Sequence, residues 1–173
     1  MKHLFSKPLF VFLFVNLTCY GYSQTFTTNE LITLYRDNFD DFDTKVIKKG
    51  FEYIKSDPKA NEEQISKYAL NETEDDGFYT EVIKKIKFKS GITLLDYQVD
   101  TKDAYLKLKN QLKLLGYVSY KSKNQDGSTL FFYKSNKLNY KDIFIQIAVG
   151  IVDNAKGKTQ AVYEISFHNN SKM

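Results

Sequence analysis

Cysteine is nearly missing from this sequence. Cys19 is the only one among 173 residues, and it lies in a segment with the features of a secretory signal peptide. A mature chain cleaved after that segment has no thiol, which excludes disulfide bonds, thiolate catalysis and cysteine-ligated metals. The mature fold must therefore be held together by packing, and the 10 phenylalanines and 11 tyrosines of residues 24–173 supply large apolar side chains for it.

Basic clusters and familiar catalytic motifs are missing as well. Arg36 is the only arginine, and the formal net charge of +4 falls to about +2 when Lys2 and Lys7 leave with the signal peptide. Nucleic-acid binding requires clustered Lys and Arg, so we expect no nucleic-acid partner. The chain has no phosphate-binding loop, dinucleotide fingerprint, HExxH or CxxC, and we expect no cofactor. His168 is the single histidine of the mature chain; Ser166 lies two residues away, but the chain has no Gly-x-Ser-x-Gly elbow, and we expect no catalytic residue.

The amino-terminal segment has the three parts of a signal peptide. Two lysines precede an apolar run over residues 8–17, and small residues at positions 21 and 23 complete a cleavage site. The apolar run is too short to span a bilayer. We therefore expect residues 1–23 to be removed, no transmembrane segment to remain, and the protein to be periplasmic or extracellular. Lipid anchoring through Cys19 is the lesser alternative, since Asn16, Leu17 and Thr18 fit a lipoprotein signal poorly.

The remaining residues, 24–173, suit one domain with a substantial core. Thr27 and Glu30 form a capping box that opens a helix or pair of helices ending at Gly50. Strand patterns follow over residues 51–55, 65–70, 81–89 and 92–99. A second helix is predicted from residue 101 to Gly116, and strands follow over residues 117–122, 129–135, 143–149 and 161–168.

Two glycines, Gly50 and Gly116, occupy matching places in this pattern. Each ends a helical segment and precedes an aromatic residue that begins a strand, so we expect both to have positive φ. The element order predicts an α+β fold with two pseudo-repeats of helix plus four antiparallel strands. The repeats would span about residues 27–99 and 100–168, with the helices packed on one face of the sheet.

This order of elements resembles that of the β-lactamase inhibitory protein. In that architecture two helix-plus-four-strand units join edge to edge into one curved sheet with an open face. Outer-membrane assembly lipoproteins of the SmpA/OmlA type and PepSY domains are similar single-unit versions. The resemblance covers most of residues 27–168 and rests on element order, so it implies an architecture and no functional residue. The composition also resembles that of small exported proteins of Gram-negative bacteria.

The open sheet face is the best candidate for a binding site. If Ile145, Ile147, Ile165 and their neighbours face the helices, strand alternation places the residues between them on the opposite face. A mixed aromatic, amide and charged surface suits an envelope or extracellular protein partner. The predicted partner-binding residues are Lys85, Lys87, Asp96, Gln98, Phe144, Gln146 and Glu164.

The sequence thus favours an exported, non-enzymatic binding or inhibitor-like module. One alternative is a small hydrolase of envelope or polysaccharide material, in which Asp and Glu side chains would converge in a pocket. Another is an envelope structural or assembly factor. The acidic stretch 71–77 has part of a calcium-loop pattern, but Ile83 falls where a bidentate glutamate is needed, and we expect no metal site.

Overall fold

The computed structural model describes residues 25–72, 78–153 and 159–169. Within these ranges it contains three helices and one eight-stranded antiparallel sheet, which confirms the α+β class. The helices are α1 (Thr28–Arg36), α2 (Phe39–Lys48) and α3 (Lys102–Leu114). The strands are β1 (Glu52–Tyr53), β2 (Glu62–Glu72), β3 (Tyr79–Phe88), β4 (Thr93–Val99), β5 (Tyr117–Gln125), β6 (Ser128–Ser135), β7 (Phe144–Asp153) and β8 (Thr159–His168).

The strand order is β1-β2-β3-β4-β8-β7-β6-β5. Strands β1 to β4 follow one another across half of the sheet, strands β5 to β8 do the same across the other half, and β4 pairs with β8 at the centre. This pairing joins segments about 70 residues apart in the chain, with Asp96 opposite Ser166 and Gln98 opposite Glu164. The predicted internal repeat stays a prediction, because the first half has two helices and a two-residue β1 where the second has one helix and a nine-residue β5.

Local capping signals explain where the helices begin and end. Thr27 and Glu30 form the reciprocal capping box that the sequence predicts, and Thr101 caps α3 by accepting a hydrogen bond from the Ala104 N–H group. Gly50 and Gly116 follow α2 and α3 with φ of +89° and +85°, which confirms the predicted positive φ. Such a conformation is strained for any residue with a Cβ atom, so glycine is suited to both positions.

The two faces of the sheet differ in what covers them. We call the helix face the side that carries Ile83, Leu95, Tyr97, Ile147 and Ile165, which are buried with residues of all three helices in one core. The aromatic rings of Tyr105 in α3 and Tyr163 in β8 stack there, with centroids 4.8 Å apart. We call the opposite side the open face. In the part of the chain that the structure describes, all three helices lie on the helix face.

The structure corrects the predicted position of Lys85 and Lys87. Both lie on the helix face, because strand β3 presents Ile83 to the core and alternation places Lys85 and Lys87 on the same side. Lys85 is only 1% exposed, and its ammonium donates hydrogen bonds to the main-chain carbonyls of Leu34 (2.7 Å) and Asp37 at the end of α1. It neutralises carbonyls that the helix leaves without partners. Lys87 forms an ion pair with Glu63 at 2.9 Å on the same side.

A second buried charge, Glu81, ties the start of the described chain to the sheet. Its carboxylate accepts hydrogen bonds from the Thr25 N–H group at 3.0 Å and from the Tyr97 hydroxyl. Burial raises the pKa of Glu81, and the hydrogen bonds from Tyr97 and Thr25 only partly offset this. Lys85 and Glu81 on the helix face therefore have structural partners, whereas the buried Tyr117 hydroxyl and Asp43 Oδ1 have none among the described residues.

Other sequence-based boundaries were wrong in extent. The strand predicted over residues 51–55 is reduced to β1, while the one predicted over 65–70 extends to the eleven residues of β2. The predicted signal peptide and residues 73–77 of the acidic stretch lie outside the described residues. None of the three described helices is long and apolar enough to cross a membrane.

Candidate functional site

A cavity of about 430 Å³ lies on the open face, over the central strands β3, β4 and β8. Polar and apolar side chains both contribute to its walls. The lining residues are Lys67, Phe78, Tyr79, Val82, Lys84, Asp96, Gln98, Val152, Asp153 and Glu164. We call this cavity the open-face pocket.

Strand pairing explains why these side chains meet. Lys67, Lys84, Asp96 and Ser166 lie opposite one another in turn across β2, β3, β4 and β8. The next row in the same direction holds Ala69, Val82, Gln98, Glu164 and Ala148. The alanines and Val82 of the second row are small and leave room beside the longer polar side chains of both rows, and the pocket occupies that room.

An ion pair organises the floor of the pocket. Lys84 Nζ lies 2.9 Å from Asp96 Oδ2, and the side chains are 30% and 9% exposed. Partial burial by itself would lower the pKa of Lys84, but the Asp96 carboxylate outweighs this and raises it. The other oxygen, Asp96 Oδ1, is buried and accepts no hydrogen bond within the described part of the chain.

Glu164 is the second carboxylate of the pocket. It lies diagonally across from Asp96, since Asp96 is opposite Ser166 and Glu164 precedes Ser166 by two residues. Burial is the main cause that raises the pKa of Glu164; the nearby Asp96 charge raises it further, and Lys84 partly offsets both. The Ser166 hydroxyl donates a long hydrogen bond of 3.4 Å to Glu164 Oε1. The described residues thus compensate the ionised form of Glu164 poorly.

The structure brings together three of the predicted residues, Asp96, Gln98 and Glu164, in one pocket. Gln146 lies opposite Ser166 on the same face, and Phe144 lies opposite His168 with its ring stacked on the imidazole at 6.1 Å. Neither Gln146 nor Phe144 lines the pocket. Both are on the open face, where strand alternation placed them.

Sequence reasoning missed Lys84, Lys67 and the aromatic rim formed by Phe78 and Tyr79. Lys84 gives no clear signal, because Val82, Ile83 and Ile86 place apolar residues on both faces of the strand. Lys67 and the rim give no signal either, since their position depends on which strands pair.

A second cavity, of about 440 Å³, lies between α1 and α2 and has mainly apolar walls that include Phe26 and Leu34. Two lysines at its rim already have acidic partners: Lys45 pairs with Asp37 at 2.8 Å and Lys49 with Glu30 at 2.9 Å. It contains no pair of buried carboxylates, and the open-face pocket is the stronger candidate. Among the described residues, no group of three or more His, Cys, Asp and Glu side chains could hold a metal ion.

The chain was compared with known proteins at three levels. No family model, no curated protein and no solved structure matches it. Functional arguments for this protein therefore start from the residues of the pocket.

Proposed function

We propose that this protein is an exported, non-enzymatic binding module that uses the open face of its sheet to bind another envelope or extracellular protein. The observation that carries the proposal is the open-face pocket with its partly buried charges. A solvated sheet face normally keeps its polar groups in water. Here Asp96 is 7% exposed, and burying a charge is costly unless something repays it. Binding a partner is a function that would retain such a group.

The position of the pocket also supports the proposal. It lies over the central strands of the sheet, where the β4–β8 pair is flanked by three strands on each side. A rigid sheet holds side chains in fixed relative positions, which lowers the entropic cost of binding. Phe144, Gln146 and Ser166 extend the same face beyond the pocket with the mixture of aromatic and amide groups found at interfaces.

A capture experiment tests this function. The protein purified after export would be immobilised and exposed to an envelope extract of the source organism, beside a Gln98→Arg variant that fills the pocket. Lys121→Gln, on the exposed edge strand β5, is the control. We expect a partner that wild type and the control retain and the Gln98→Arg variant loses. Capture of no partner, or equal capture by all three, would contradict the proposal.

The second candidate function is a small hydrolase of envelope or polysaccharide material. The observation in its favour is that Asp96 and Glu164 lie in one pocket, and that the pKa of Glu164 is raised by burial and by Asp96. A protonated carboxylic acid beside an ionised carboxylate is the pairing that glycoside hydrolysis uses. Release of reducing ends from envelope polysaccharide by wild type, lost in Glu164→Gln, would favour this function over binding alone.

A further inference from the structure

The Asp96 carboxylate is only half satisfied by the protein. Asp96 Oδ2 pairs with Lys84, but Oδ1 is buried and accepts no hydrogen bond among the described residues. Buried polar atoms in folded proteins nearly always have a partner, so one without a partner requires an explanation. Because Oδ1 has essentially no exposed surface, a donor in the open-face pocket reaches it when the Asp96 side chain, which lines that pocket, turns toward the donor.

The charged side chains that line the open-face pocket indicate which charge a bound ligand would carry. The pocket is lined by three carboxylates, from Asp96, Glu164 and Asp153, and by two ammonium groups, from Lys67 and Lys84. Lys84 is already paired with Asp96, and among the described residues Glu164 accepts one hydrogen bond, the long one from Ser166. The burial and the Asp96 charge that raise the pKa of Glu164 both disfavour its ionised form. A cationic hydrogen-bond donor would provide a partner for Asp96 Oδ1 and a compensating charge for Glu164.

Two cationic side chains could serve, and they differ in shape. An ammonium is a compact, strongly hydrated point charge, whereas a guanidinium is a planar fork of five N–H donors with weaker hydration. The pocket spreads its acceptors over Asp96, Gln98 and Glu164 on two strands and adds the aromatic residues Phe78 and Tyr79. A planar group that reaches several acceptors and packs on aromatic rings matches this arrangement better.

We propose that the open-face pocket binds the guanidinium of an arginine side chain from the partner protein, with Asp96 Oδ1 and the Glu164 carboxylate as its acceptors. This inference rests on the proposed binding function and adds the chemistry that the partner must present. The arginine would enter beside Lys84 without displacing it, because Lys84 occupies Asp96 Oδ2 and leaves Oδ1 to the ligand.

The direct test uses acetyl-arginine amide as the probe, with the side-chain amide resonances of Gln98 followed by NMR in the exported protein. We expect saturable binding with a dissociation constant on the order of 1–10 mM, as suits one side chain with a few contacts. Acetyl-citrulline amide, which has nearly the same shape and no charge, should bind at least about tenfold more weakly. Equal binding of citrulline amide or of acetyl-lysine amide, or no saturable shift with arginine amide, would overturn the inference.

Two variants distinguish a charge site from general damage. Glu164→Gln should weaken arginine-amide binding about tenfold, whereas Glu63→Gln, which removes an exposed carboxylate on the helix face, should leave it unchanged. Lys84→Met should strengthen binding severalfold, because it removes a positive charge that repels the guanidinium bound beside it. Weaker binding in Lys84→Met would contradict the assignment of the pocket as an arginine site, because a substitution that only distorts the pocket is expected to weaken binding.

The same probe separates this inference from the proposed function. Excess acetyl-arginine amide should release the captured partner, and citrulline amide should not. A partner that is captured through the open face but is not released would leave the binding function standing and overturn the arginine site. If arginine amide binds but no partner is captured, the arginine site stands and the proposed binding function is overturned.

Discussion

Two adjacent lysines of strand β3, one on each face of the sheet, differ in exposure, in hydrogen-bond partners and in pKa. Lys85 points to the helix face, is 1% exposed, and donates to two carbonyls at the end of α1. Lys84 points to the open face, has 30% of its side chain exposed, and pairs with Asp96. Burial lowers the pKa of Lys85 to about 8, whereas the Asp96 carboxylate outweighs the effect of burial at Lys84 and raises its pKa.

The two faces also differ in how far their buried charged groups are satisfied by hydrogen bonds and ion pairs within the protein. On the helix face the buried charges of Lys85 and Glu81 have several structural partners within the fold. On the open face Asp96 is almost as buried, yet one of its oxygens has no partner in the described part of the chain. Lys85 and Glu81 thus stabilise the fold, and the proposed binding function assigns the half-satisfied Asp96 carboxylate to a partner protein.

The largest expected effect comes from truncating Lys85. Lys85→Ala leaves the Leu34 and Asp37 carbonyls without their donor and opens a cavity among α1, α2 and β3, so we expect a loss of about 3 kcal/mol in the free energy of unfolding. Lys84→Ala removes a less buried side chain but leaves the Asp96 carboxylate without its cation, and we expect a smaller loss of about 1–2 kcal/mol. Urea denaturation of both variants measures the difference. Similar losses for the two lysines would contradict the division between the faces.

The next effect is a dependence of stability on pH that belongs to Lys85. Because burial lowers its pKa to about 8, the unfolded chain binds this proton more tightly than the folded protein between that pH and the ordinary value of 10.5. Lys85 by itself should therefore contribute a rise in stability of about 2 kcal/mol between pH 8 and 10. Tyrosines oppose this rise as the pH approaches 10, since burial raises the pKa of Tyr35, Tyr68, Tyr97, Tyr117 and Tyr133 and the unfolded tyrosines ionise first, so the contribution of Lys85 is read as the difference between wild type and Lys85→Met. Lys85→Met should abolish the rise, and a rise that persists in this variant would assign it to another group.

The smallest expected effect on stability is that of Glu164→Gln. The pKa of Glu164 is raised in the folded protein, so its favourable contribution is present at low pH and is lost as the pH rises above its ordinary value of 4.5. At pH 7 the variant should be as stable as wild type or more stable by up to about 1 kcal/mol, and below pH 4 this advantage should disappear. Thermal unfolding at the two pH values measures it. A clear loss of stability at pH 7 would show that Glu164 is a structural residue.

Local features of the fold could be predicted from the sequence, and the reason is that each depends on neighbouring residues. The capping box of Thr27 and Glu30 and the positive φ of Gly50 and Gly116 are determined within one or two turns of the chain. The alternation of Leu95, Tyr97 and Val99 with Asp96 and Gln98 likewise gave the correct faces of β4.

Strand β3 shows why the same reasoning failed nearby. Val82, Ile83 and Ile86 place apolar residues on both faces, so alternation alone could not decide which side met the helices, and Lys85 was assigned to the wrong one. The pocket itself depends on the pairing of β4 with β8 and on the β7 end carrying Asp153. Pairing between such distant segments leaves no local pattern in a single sequence.

If the open face binds a partner protein and the helix face stabilises the fold, Glu164→Gln should separate binding from stability. Partner capture and the free energy of unfolding would be measured on the same preparations of wild type, Glu164→Gln and the control Glu63→Gln. We expect Glu164→Gln to weaken binding about tenfold and to leave the free energy of unfolding at pH 7 undiminished, and we expect Glu63→Gln to change neither. Binding that is unchanged in Glu164→Gln, or that falls only together with stability, would contradict this expectation.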